Sequence, residues 1–254
     1  VVKTSTSARS PLSPTLWPAD AFRWYFSLAV ALVLLFASVI PAAIFIALLV
    51  AFRVASPHDL RTLSWPLIAG QLASYATGLA LLALVMPPLA QRSFRALGLR
   101  APRASDLAWG VGGAVAMLLA ATLTGAAQEA LFHLKADEVQ VHWLRETRGS
   151  LAVGFVFLAC IAAPFVEELI FRGFFFNALL RYMPAWLAVL LSSALFGVAH
   201  WQKGNEGAIA PLAASGIVLA LVYYRSGSLT ASMLTHALFN TITVVFVLVL
   251  HQPG

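Results

Sequence analysis

Long apolar runs separated by short polar intervals govern the chain, and the residue-by-residue alternation of an outer-membrane barrel is not visible. The runs approach 20 residues, the length that crosses a hydrocarbon core of about 30 Å. Seven helical spans are predicted, at about 24–52, 65–89, 107–133, 151–181, 184–202, 208–224 and 228–250. The fourth is long for one crossing, so a tilt or a break is expected near Pro164, and a break would raise the count to about eight. Pro41 is expected to kink the first span, and the stretch MPPLA to end the second. Gly70, Ser74 and Gly78 recur every fourth residue in the second span, a small ridge that lets another helix approach closely. The predicted fold is therefore all-α, a polytopic integral membrane helical bundle. It forms a single membrane-embedded domain over 23–254, with no internal repeat. Residues 1–22 are Ser/Pro-rich, lack an apolar core, and read as a disordered lead-in rather than a cleaved signal peptide.

Composition supports this picture. Of 254 residues, 61% are hydrophobic and 10% are charged, against about 25% charged in soluble domains. The net charge is +6, but the basic residues sit mostly between the apolar runs, which points to membrane topology and argues against a nucleic-acid partner. The segment QRSFRALGLRAPR carries Arg92, Arg95, Arg100 and Arg103 with no acid, and is assigned to the cytoplasm. Counting spans puts Lys3, Arg9, Arg23, Arg181 and Arg225 on that side as well. Arg53, Arg61, Lys135, Arg145, Arg148 and Lys203 fall opposite, a bias of nine against six. The expected setting is a bacterial inner (plasma) membrane with the N-terminus cytoplasmic. The bacterial part rests only on the association of an Ala/Leu-rich, Arg-over-Lys composition with GC-rich genomes. Cys160, the single cysteine, lies in an apolar run, which leaves no disulfide framework and no thiolate metal cluster.

Against this background a few residues are out of place. A charge at the bilayer centre costs roughly 2.5–3.5 kcal/mol on insertion scales, yet Glu167, Glu168 and Arg172 lie in the fourth span, His200 in the fifth, and His236 with Asn240 in the seventh. Glu168 and Arg172 are four apart and share a helical face, so they can pair. Glu167 is turned about 100° from Glu168, leaving one carboxylate to face elsewhere. His236 and Asn240 share a face, and Phe196, four residues before His200, can wall the same site. Taken singly, each group has a structural reading: an ion pair, a packed histidine, an amide bridging two helices. Taken together, they offer a carboxylate and an imidazole to activate water and a His/Asn pair to hold an oxyanion, the parts for peptide hydrolysis without a covalent intermediate. Glu167, His200 and His236 also make a conceivable zinc set with one open position. No H-E-x-x-H occurs, no aspartate lies in an apolar span, and a Ser215–His236 pair would leave both glutamates and His200 unexplained. The competing reading is a non-proteolytic membrane adaptor or immunity protein, or a small-solute carrier, because intramembrane Glu, Arg and His also mark ion pathways. The absence of matched broken helices counts against a carrier.

The segments EELIFRG, FGVAH and HALFN resemble, in order and on separate spans, the EExxxR, FxxxH and HxxxN motifs of the CPBP family of intramembrane proteases. That family comprises the type II CAAX prenyl endopeptidases, the bacteriocin-processing and self-immunity (Abi) proteins, and their bacterial relatives. The resemblance covers about 150–245 as the protease core; the first 105 residues match nothing beyond spans and a basic loop. It implies that Glu167 is the essential glutamate and His200 its partner, that His236 and Asn240 stabilise the oxyanion, and that Glu168 and Arg172 support the site. The family is labelled metalloprotease in some accounts and glutamate-dependent in others, so zinc stays open as a cofactor, with a metal-free mechanism preferred. The partners implied are a peptide or membrane-protein substrate and the lipid bilayer.

Overall fold

The computed structural model describes residues 39–54, 63–90, 97–136, 139–201 and 205–250. The expected lead-in at 1–22 and the first part of the first span lie outside the described residues. Eight long or short α-helical elements and one 3₁₀ turn (Glu206–Ala208) occur among those described, and no strand: α1 (Val39–Ala51), α2 (Trp65–Ala90), α3 (Ala104–Phe132), α4 (Val139–Glu146), α5 (Gly149–Leu180), α6 (Ala185–Ala199), α7 (Ile209–Ser226) and α8 (Leu229–Leu250). α2, α3, α5, α7 and α8 are long and apolar enough to cross a membrane, and α6 is a shorter apolar helix. The chain is a multi-pass helical membrane bundle. α2 runs through Pro87 and Pro88 to Ala90, the last residue of MPPLA and of that described stretch. Pro41 sits in the first turn of α1, and the residues on whose course a kink there would depend are outside the description.

The fourth span corrects one expectation. It does not break at Pro164 but runs as one helix from Gly149 to Leu180, interrupted by two π-helical stretches, Leu158–Ala162 and Leu169–Phe176. A proline inside an α-helix removes an N–H and drives its ring into the carbonyl four residues back. The wider π turn just before Pro164 makes room for it, and the Glu pair falls between the two stretches.

Helices α3, α6, α7 and α8 pack at backbone distance where small residues meet. A Cβ on Gly113 of α3 would come within 2.6 Å of Thr235 of α8, and one on Gly197 of α6 within 2.5 Å of the Ile209 carbonyl. Gly70, on the expected ridge of α2, faces Ile46 of α1. Three apolar clusters follow: Leu97, Phe174, Phe176 and Tyr223 at one end, Leu63, Leu144, Phe155 and Val247 at the other, and Met117, Phe171, Phe196 and Leu219 between α3 and the Glu-bearing helix. α4 was not expected from the sequence. It is a short amphipathic helix in what the hydropathy pattern leaves as a connection, and Leu144 buries its apolar face against the end of α8.

Candidate active site

The two adjacent glutamates of α5 have different surroundings. Glu168 is fully buried and fully engaged: its Oε1 accepts from Arg172 Nη1 at 2.9 Å and from His236 Nδ1 at 3.1 Å, and its Oε2 accepts from Ser232 Oγ at 2.5 Å. Arg172, also fully buried, donates through Nη2 to the Gly216 carbonyl at 3.1 Å and stands 4.5 Å over the Phe196 ring. The i,i+4 relation brings the pair together, and the neighbouring helices supply further partners to both side chains, though none to Arg172 Nε. Glu167, turned to another azimuth, takes a 2.6 Å hydrogen bond from Tyr75 Oη on Oε1. Its Oε2 makes no hydrogen bond and lies 3.6 Å from His200 Nε2.

His200 occupies the C-terminal end of α6, where the backbone has left helical geometry. Its Nδ1 is 2.8 Å from the Phe196 carbonyl, which can only accept, so Nδ1 carries a proton and Nε2 is the ring nitrogen that faces Glu167. Asn205, 2% exposed, donates from its amide to the His200 carbonyl at 3.0 Å and ties the following loop to that residue. The Phe196 ring stands between the two imidazoles, 4.6 Å from His200 and 5.9 Å from His236. Span ends alone would set His200 and His236 at different depths, yet both line one cavity. α6 has only 15 residues, so its end is a poor marker of the membrane surface.

Tyr75, Glu167, His200, His236 and Asn240 line one cavity of about 500 Å³, whose further walls include Ile68, Phe155, Leu158 and Val244. Glu168 and Arg172 lie behind it. Two expected roles change in detail. His236 spends Nδ1 on Glu168, so only its Nε2 is left for the cavity. Asn240 donates from Nδ2 to the Ala159 carbonyl at 2.7 Å, committing one N–H to backbone. Among the described residues, Glu167, His200 and His236 included, no three His, Cys, Asp or Glu side chains are placed to hold a metal ion. Ser215 lines the cavity, and its hydroxyl has no hydrogen-bond partner, His236 included.

Sequence reasoning missed three contributors. Ser232 precedes His236 by four residues, the spacing that picked out the other pairs, and was detectable in that way. Tyr75 is a phenol inside an apolar span, but its partner is 92 residues away, so spacing carries no signal. Asn205 lies beyond the span that holds His200.

A half-buried carboxylate–imidazole pair, facing a cavity among membrane-spanning helices, defines the general class: a polytopic membrane protein with its polar site inside the bundle. Within that class, residues 149–242 match the Rce1-like family, type II CAAX prenyl endopeptidase Rce1-like. Over these residues the resemblance read from the three motifs is borne out. Curated relatives include a protein of Escherichia coli named "Uncharacterized 24.3 kDa protein", 36% identical over 88 residues, which are 34% of this chain and 41% of that one. The Bacillus subtilis (strain 168) protein named "Putative membrane peptidase YdiL" is 22% identical over 140 residues, 55% of this chain and 56% of that one. The Lactococcus lactis subsp. lactis (strain IL1403) "UPF0177 protein YaiF" is 38% identical over 86 residues, 34% of this chain and 37% of that one. The chain thus spans about half, or less, of the length of these relatives. No solved structure matches it.

Proposed function

We propose that the protein is an intramembrane endopeptidase that hydrolyses a peptide bond with water activated between Glu167 and His200. The Rce1-like match supports an intramembrane peptidase in general. The observation that supports the finer reading is the pair Glu167 Oε2 and His200 Nε2, 3.6 Å apart at a cavity wall. With Nε2 unprotonated, both atoms are acceptors. A water between them can donate one hydrogen to each, which aims its oxygen lone pair into the cavity. Attack of that oxygen on a substrate carbonyl forms the C–O bond and passes a proton to the Glu167–His200 pair. The same proton then goes to the leaving amine as the C–N bond breaks. His236 can serve the oxyanion when Nε2 carries a proton, with Nδ1–H staying on Glu168. No step is routed through a metal.

The substrate is a peptide or a membrane protein that reaches the cavity. The setting is a bacterial inner membrane with the N-terminus cytoplasmic. The test is cleavage of a peptide library by purified protein in detergent, wild type against Glu167→Gln, each with and without chelator. Loss of about 10²–10⁴ in rate on removing a general base, with no effect of chelator on wild type, is the expected result. Equal cleavage by Glu167→Gln would overturn the role given to Glu167, and no cleavage in any lane would favour a non-proteolytic membrane module.

A further inference from the structure

The first π stretch of α5 leaves one backbone carbonyl without its usual donor. Ala163 N–H reaches back five residues to the Leu158 carbonyl. It therefore does not serve Ala159, its α-helical acceptor. The next donor that π geometry would offer Ala159 belongs to residue 164, which is proline and has no N–H. An unpaired carbonyl inside a membrane bundle costs free energy, because no bulk water is there to replace the bond. Asn240, across on α8, donates to this carbonyl at 2.7 Å. The second π stretch is treated in the same way: Asn177 turns its own N–H to Phe174, and its side-chain amide donates to the Arg172 and Gly173 carbonyls at 3.0 and 2.9 Å. An asparagine amide thus serves each stretch, and Glu167 and Glu168 lie between the two.

We propose that Asn240 is a positioning residue: its amide replaces the backbone donor that Pro164 denies to Ala159, and so fixes the rotation of the segment that presents Glu167. The rotation matters because one residue gained or lost before position 167 turns the Glu pair by about 100°. That is the angle separating the carboxylate on Tyr75 from the one on Arg172. The oxyanion role expected of His236 and Asn240 together is left to His236. The kinetic arm of the test rests on the peptidase reading; the structural arms need no substrate.

The experiment is a double-mutant cycle of Asn240→Ala and Pro164→Ala on the full chain in detergent, read by reversible unfolding and by kcat. Pro164→Ala supplies an N–H that can reach Ala159. In the wild-type background Asn240→Ala should lower the folding equilibrium constant about tenfold or more, the effect of unpairing a buried acceptor. In the Pro164→Ala background the loss should fall below about threefold, and the loss in kcat should shrink with it. Equal losses in both backgrounds would overturn the proposal, and an undiminished kcat loss would return the amide to the oxyanion. If either alanine variant fails to fold, Asn240→Asp, which keeps the shape and loses the N–H donor, gives a second route. Cys160 is the single cysteine, so the pair Ala159–Cys160 is unique and its carbonyl can be observed alone by ¹³C-Ala/¹⁵N-Cys labelling. That resonance should shift in Asn240→Asp; an unmoved resonance refutes the bond as a determinant of the site.

Discussion

Tyr75 and Arg172 both hold a glutamate of α5, but removing them has different consequences. Tyr75→Phe takes one donor from Glu167 Oε1 and leaves the ring to pack as before. Hydrogen bonds to charged groups are worth about 1.5–3 kcal/mol, so kcat should fall roughly 10–100-fold with little change in unfolding temperature. An unchanged kcat would remove Tyr75 from the site. Arg172→Ala strands Glu168 in a fully buried position. Breaking a buried pair on one side costs about 3–5 kcal/mol, so thermal unfolding in detergent should drop sharply and activity with it. A normal melt and normal cleavage would refute the supporting role. The pairing of Glu168 with Arg172 was legible in the sequence because a four-residue interval fixes a shared face. Tyr75 was not, because no local rule connects two residues 92 apart.

The elements that deliver these side chains depend on close helix contact. His200 follows Gly197 by one turn of α6, and a Cβ at Gly197 would sit 2.5 Å from the Ile209 carbonyl and 3.0 Å from Ala213. The obstacle is backbone, so α6 and α7 would have to separate. Gly197→Ala should cost about 1–3 kcal/mol as an overpacking change and should lower kcat by moving His200 away from Glu167. Wild-type stability and turnover in this variant would show that the contact does not set the position of His200. At this scale hydropathy located α2, α3, α5, α7 and α8 to within a few residues, since length and apolarity are what it measures. It could not find the π stretches, whose cause is how Pro164 is accommodated within a continuous helix. Nor could it find α4, whose eight residues are too short and too polar to register as a span.

Across the whole molecule the basic residues divide between two ends joined by α3, whose 29 residues extend about 43 Å, more than the hydrocarbon thickness. At one end the segment 97–103 is anchored: Leu229 N–H donates to the Gly98 carbonyl at 3.2 Å, Thr230 Oγ to the Arg100 carbonyl at 2.6 Å, and the Arg100 guanidinium holds Asp106. That ion pair does not cancel Arg100 as a topology signal, because orientation follows Lys and Arg counts rather than net charge. At the other end stand Lys135, Arg145 and Arg148, all exposed, together with α4. If the Arg-rich segment is cytoplasmic, then in a Cys160→Ser background Ala101→Cys should resist a membrane-impermeant maleimide in intact cells and react after permeabilisation. Ala136→Cys should react in both. Both alanines are exposed, so burial does not confound the comparison. The reverse labelling pattern would invert the assignment and leave the geometry of the site intact. The result also fixes access to the cavity. Val141, Trp143 and Leu144 of α4 line it, and α4 begins three residues after Ala136. Labelling of Ala136→Cys from outside would therefore put the α4 wall of the cavity, and the approach of a substrate past it, on the external face.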